Sequence, residues 1–205
     1  MPVTATGAAH ARIVLLAGPS GAGKSRLAGR LHTAYGWPIV NLDDFYKDAD
    51  APGLPQHAAL GIVDWDDPRS WDAEGAVGAL ACLIRDGECE LPVYDLGASR
   101  RVSVVTLRAQ SQHLIIAEGI FAAEIVAPLR SAGLLHSAWC VRNRPVVTFV
   151  RRLARDLAER RKPPPVLLKR GWQLMRAEPD VVARAAARGA TPARATEVEA
   201  ALGRR

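Results

Sequence analysis

Apolar residues along the chain fall into short unbroken runs that alternate with segments of helical spacing. Arg12 opens the first run, Ile-Val-Leu-Leu-Ala17, which closes at Gly18 and has the pattern of a strand buried on both faces. From Ser25 to about Tyr35, Leu27 and Leu31 stand four apart, which predicts a helix directly after that strand. Trp37-Pro-Ile-Val-Asn-Leu42 reads as a second strand ending in Asp43-Asp44, and residues 47–69, rich in Pro, Gly and Asp, read as a long functional loop. A helix is predicted from Trp71 to about Arg85, with Ala76, Leu80 and Leu83 on one face. Residues 91–95 and 101–107 flank Gly97 and predict a hairpin. His113-Leu-Ile-Ile-Ala-Glu118 is another buried strand ending in an acid, followed by a short helix over 123–130 and a strand over 137–142. Residues 145–161 read as a basic helix, and beyond Pro163-Pro-Pro165 two or three Ala/Arg-rich segments read as helical, with a last strand containing Val181-Val182 as the alternative. Strands alternating with helices imply an α/β fold with a parallel sheet.

The 205 residues are 49% hydrophobic and 23% charged, with mean hydropathy +0.01, which fits one globular unit and argues against disorder. The net charge of +6 is unevenly spread. Residues 1–143 carry a net −3 and residues 144–205 a net +9, and only four of the basic side chains are lysines. A basic half raises nucleic acid or a membrane as partners. The apolar runs are about five residues long, far short of the roughly 20 needed to span a bilayer, and no secretory leader pattern opens the chain. Cys82, Cys89 and Cys140 lack metal-site spacing and read as reduced thiols of a cytoplasmic protein.

The most specific feature is Gly18-Pro19-Ser20-Gly21-Ala22-Gly23-Lys24-Ser25, a full G-x-x-x-x-G-K-[ST] phosphate-binding loop set between a buried strand and a helix. Its glycines let successive N–H groups face one centre, and the helix N-terminus adds positive potential for phosphate. Lys24 is expected to reach the β- and γ-phosphates of ATP, and the Ser25 hydroxyl to ligate Mg2+. No N/T-K-x-D motif of a guanine-specific switch is present. Instead, acids end two further strands, where the ligands of open α/β sheets gather. Glu118 suits Mg2+, directly or through water, and Asp43 suits proton abstraction from an attacking hydroxyl, with a place beside the metal as well. The competing reading of either acid is a helix N-cap.

Together with this loop, Asp43-Asp-Phe-Tyr-Lys47, Asp64-Trp-Asp-Asp-Pro68 with Trp71-Asp72, Pro92-Val-Tyr-Asp95 and Glu118-Gly-Ile-Phe121 resemble the ordered signature of the uridine kinase and phosphoribulokinase family of P-loop kinases. The resemblance covers about residues 12–162 and is closest to uridine kinase. It implies a three-layer P-loop NTPase fold over residues 1–205, with acceptor-binding elements over about 47–110, a small β-hairpin insertion, a helical lid over about 145–165 and a divergent helical segment over 166–205. It implies Asp43 as catalytic base, Tyr46 lining a nucleoside site, Trp65 packing on the base, Asp66 binding the ribose hydroxyls, and Tyr94 and Arg101 contacting the substrate. Trp71, which opens an apolar helical pattern, reads as core.

The basic run Arg151-Arg-Leu-Ala-Arg-Asp-Leu-Ala-Glu-Arg-Arg-Lys162 resembles the family's lid, so Arg152, Arg155 and Arg160 are expected to close over the phosphates of ATP. Taken alone, the same run reads as a solvated basic helix. The family's histidine beside the base has no counterpart; Ser99 stands at about its position. The function so implied is ATP- and Mg2+-dependent phosphorylation of the 5′-hydroxyl of a pyrimidine nucleoside, with no nucleic-acid or membrane partner; a homo-oligomer is allowed. The alternatives are a kinase of a sugar phosphate or vitamin precursor, and a non-catalytic nucleotide-binding regulatory protein. Nucleic-acid binding by the basic tail ranks low, because Trp172 is the tail's one aromatic for stacking.

Overall fold

The computed structural model describes residues 12–57, 61–158 and 164–203. At its centre are five parallel strands in the order β2-β5-β1-β6-β7, comprising β1 (Ile13–Ala17), β2 (Ile39–Asn41), β5 (Ile115–Glu118), β6 (Leu135–Val141) and β7 (Thr191–Ala193). The period of two along β1 divides its side chains between two apolar layers. Ile13, Leu15 and Ala17 join one cluster, and Val14 and Leu16 join the other. The first layer holds α2 (Ala73–Asp86), α3 (Val126–Ser131) and Ala185 of α5 (Pro164–Ala187); the second holds α1 (Lys24–Tyr35) and α6 (Ala195–Leu202). With both faces covered, a continuous apolar run is what a central strand requires. This is the three-layer α/β architecture read from the sequence.

The hairpin forms between β3 (Glu88–Asp95) and β4 (Arg100–Arg108), antiparallel and apart from the main sheet. The basic helix α4 runs from Pro145 to Ala158, so Arg152 and Arg155 lie within a helix, whereas Arg160 falls outside the described residues.

Two boundaries depart from the sequence reading. Trp71 precedes α2, because the Asp72 carboxylate caps that helix by accepting from the Gly75 N–H at 2.9 Å. Trp71 is nevertheless core, buried with its indole N–H donating to the Leu42 carbonyl at 2.7 Å. Val181 and Val182 form no strand. They lie inside the 24-residue α5, and the last strand is Thr191–Ala193. Buried Gly171, Glu178 and Ala185 recur seven apart along α5, a helical spacing that overrides the β-branched pair and the internal Pro179. No helix among the described residues is long and apolar enough to cross a membrane.

Candidate active site

The loop between β1 and α1 adopts the conformation its glycines permit. Gly18, Gly21 and Gly23 have positive φ, and a Cβ on Gly18 would stand 2.3 Å from the Val141 carbonyl oxygen, so the backbone passes flush against β6. Gly23 enters α1 in the left-handed region and no side chain caps it, which leaves the first-turn N–H groups directed at a common centre. Lys24 is 7% exposed and curls back over the loop, its Nζ donating to the carbonyls of Gly18 (2.8 Å) and Pro19 (3.3 Å).

Parallel pairing brings the two acids to the same sheet end as this loop. Asn41 of β2 is in register with Glu118 of β5, which is in register with Leu16 of β1. Glu118 is 8% exposed and hydrogen-bonds with Ser25. Burial pushes its carboxyl above the usual range; the Ser25 hydrogen bond and the Lys24 charge oppose that shift, and the Asp43 charge adds to it. Asp43 sits in a 3-10 turn, Leu42–Phe45, entered through an Asn41 cap. Its Oδ1 accepts the Ile120 N–H at 3.1 Å. Gly119 makes that approach feasible, since a Cβ there would stand 2.8 Å from the Leu42 Cβ and 2.9 Å from Asp43 Oδ1.

Beside Asp43, four aromatic rings gather. Tyr46 lies 5.7 Å from Trp65, 5.7 Å from Tyr94 and 5.9 Å from Phe121, centroid to centroid. Its hydroxyl donates to the Trp65 carbonyl at 3.1 Å. Burial first, then the charges of Asp43 and Asp66 and the neighbouring Tyr94, hold the Tyr46 phenol well above its ordinary value. Tyr46, Trp65, Asp66 and Tyr94 thus surround one locality next to Asp43, with Tyr46 buried at its centre and Trp65 and Tyr94 half-buried at its rim.

The hairpin tip is tied to the segment after Asp43. Asp44 accepts the Tyr94 N–H at 3.1 Å, Asp48 accepts the Arg101 N–H at 2.7 Å, and the Tyr94 hydroxyl donates to the Lys47 carbonyl at 3.1 Å. Arg101 also pairs with Asp72 at 2.9 Å. Burial alone would raise the Asp72 carboxyl; the Arg101 hydrogen bond, the Gly75 N–H and nearby cations outweigh it and hold the carboxyl below the usual range. A cavity of about 530 Å³ opens here, lined by Lys47, Asp48, Asp72 and Arg101 among others. A second, of about 430 Å³, lies across the phosphate-binding loop, lined by Ala22, Gly23, Arg26, Arg142, Asn143 and Arg194 among others. The motif reading missed this second group. Arg26 follows Ser25 directly and was legible as a neighbour of the loop, whereas Arg142, Asn143 and Arg194 carry no local signature and meet through the pairing of β6 with β7.

The glycine-rich loop after the first strand, with Asp43 and Glu118 at the same end of the sheet, has the arrangement of a P-loop nucleotide-binding fold. The chain belongs to the phosphoribulokinase / uridine kinase family, whose model matches residues 13–163. Uridine kinase of Streptococcus uberis is 26% identical over 151 residues, covering 72% of this chain and 69% of that protein. The inorganic pyrophosphatase TTM1 of Arabidopsis thaliana is 34% identical over 122 residues, which is 57% of this chain but only 17% of that protein. In fold, the chain resembles a Silicibacter sp. TM1040 protein described as a fructose transport system kinase, with TM-score 0.62, 17% identity, and coverage of 87% of this chain and 88% of that one.

Proposed function

We propose that this chain transfers the γ-phosphoryl group of ATP to the 5′-hydroxyl of a pyrimidine nucleoside. The observation that carries the reading is the position of Asp43. Its Oδ1 accepts the Ile120 N–H, and its charge acts both on buried Glu118 and on Tyr46, the ring at the centre of the aromatic group. In this reading the donor phosphates lie on the N–H groups of residues 18–25, with Lys24 along the β- and γ-phosphates. The donor's remainder extends into the cavity of Arg26, Arg142 and Arg194. The acceptor occupies the opposite side, its ring against Trp65 and Tyr94 and its ribose diol on Asp66. Asp43 accepts the 5′-hydroxyl proton as the oxygen attacks the γ-phosphorus in line, and ADP departs.

The donor set of Ser25 hydroxyl with Glu118 carboxylate, joined by Asp43, consists of hard oxygens and suits Mg2+, which keeps few protein ligands beside phosphate. Bound there, the ion would neutralise charge developing on the phosphoryl oxygens. Glu118, raised by burial and by Asp43, is the carboxylate such a cation would hold ionised. Arg152, Arg155 and Arg160 are assigned to the closing lid, which adds positive charge over the transferring group and excludes water.

A second reading keeps the mechanism and changes the acceptor to a sugar phosphate or similar hydroxyl compound. It is favoured by the charged lining of the cavity beside the hairpin, Lys47, Asp48, Asp72 and Arg101, and by Ser99 at the hairpin tip where the resemblance expects a histidine. ADP release measured over a panel of pyrimidine nucleosides, sugars and sugar phosphates separates the two. Turnover with uridine or cytidine supports the first; turnover confined to sugar phosphates supports the second.

A further inference from the structure

Cys82 and Cys89 flank the turn from α2 into β3. Cys82 lies in the last turns of α2 and Cys89 is the second residue of β3, joined through Gly87, which has φ +77°. The Cys82 Sγ stands 3.4 Å from the carbonyl oxygen of Glu88, the residue before Cys89, and 3.5 Å from the Asp86 carboxylate, the Cys89 Sγ lies 3.5 Å from the Glu90 carbonyl oxygen, and the two thiols interact electrostatically. Both are half-exposed free cysteines, whereas Cys140 is buried in β6. The phosphotransfer chemistry uses neither.

We propose that Cys82 and Cys89 are a reversible disulfide pair which, once oxidised, fastens the β3–β4 hairpin to the C-terminal end of α2. The oxidant is a low-molecular-weight disulfide. Cys82, half-exposed at the end of α2, opens the exchange. Its thiolate displaces one thiol from the oxidant and forms a mixed disulfide. Cys89 loses its proton to solvent, attacks the Cys82 sulfur and releases the second thiol. Two protein thiols and one small disulfide become one protein disulfide and two small thiols, so atoms and electrons balance.

The consequence lies at the hairpin. Its tip is already joined to the start of α2 by the Arg101–Asp72 ion pair at 2.9 Å. A covalent link at the far end of α2 would hold both ends of the hairpin against one helix. The hairpin carries Tyr94 and Arg101, so the redox state of the pair sets the mobility of those two residues.

The test is incubation of the full chain with oxidised glutathione, followed by thiol titration in denaturant, peptide mass spectrometry and amide hydrogen exchange. Titratable thiols are expected to fall from three to one. The chain should lose about 2 Da, with the Cys82 and Cys89 peptides linked, and reduced glutathione should reverse the change. Exchange across residues 88–108 should slow by about threefold or more. The Cys82→Ser variant should show neither the link nor the slowing. Three persisting thiols, a stable glutathione adduct on either cysteine, a link between two chains, or a link that leaves hairpin exchange unchanged would each overturn the inference. None of these readouts depends on phosphotransfer activity.

Discussion

Asp43 depends on a residue with no side chain. Gly119 leaves room for Asp43 Oδ1 to reach the Ile120 N–H, and a methyl group there meets both that oxygen and the Leu42 Cβ below 3.0 Å. Gly119→Ala is therefore expected to displace the carboxylate from the attacking hydroxyl. A shift of this kind costs roughly 100-fold in turnover, and overpacking costs about 1–3 kcal/mol of stability. Steady-state kinetics beside a denaturant titration check this, and unchanged turnover would detach Gly119 from the base. Asp43, Glu118 and the loop 18–25 were legible in the sequence, because each follows an apolar strand and strand ends of a parallel sheet converge. The support they receive was not. Ile120 contributes a backbone N–H, Asn41 caps the turn with its side chain, and neither role is written in residue type. Tyr46 reads as a ring facing a ligand, yet its hydroxyl is committed to the Trp65 carbonyl, so its contribution includes holding Trp65 in place.

Among the elements, α2 and the hairpin act through Asp72. Its carboxylate caps α2 and pairs with Arg101 in the same position, so one side chain fixes both the helix start and the hairpin tip. Asp72→Ala is expected to cost about 1–2 kcal/mol, the usual loss for a helix cap. The effect should depend on pH in a defined direction. The Asp72 carboxyl is held below its unfolded value, so its contribution is present above the unfolded value and is lost as pH falls through the folded one. Urea midpoints of wild type and Asp72→Ala should therefore converge under acidic conditions; a gap that widens on acidification would contradict the assignment. The strands and helices of the sheet layers were legible from periodicity. The last strand, Thr191–Ala193, was not, because Thr-Pro-Ala carries no apolar run, although the helical character of α5 was legible. Gly171 shows what that helix packs against, as a Cβ there would come 2.7 Å from the Phe149 ring of α4.

Across the whole molecule, two cavities differ in the charge of their linings. One is lined by Lys47 and Arg101 together with three carboxylates, and the other by four arginines with Glu199, which is already paired to Arg30 at 2.6 Å. The excess of positive charge from residue 144 onward thus extends past α4 into Arg194, which shares a cavity with Arg142 and Arg26. Replacing Arg142 or Arg194 by Ala is expected to raise the KM for ATP about tenfold, or roughly 1.4 kcal/mol, with kcat changed little, since the contacts lie away from the transferring phosphoryl group. A fall in kcat with KM unchanged would place the donor elsewhere. The proposed phosphotransfer takes Asp43 as its base. The most direct measurement is ATP turnover with uridine or cytidine by wild type and Asp43→Asn, alongside ATP affinity by calorimetry. The expected result is a nucleoside 5′-monophosphate from wild type and a loss of roughly 100- to 10,000-fold in kcat for the variant, at an ATP Kd that stays within a few-fold. Equal turnover by both forms, or a variant that no longer binds ATP, would contradict it.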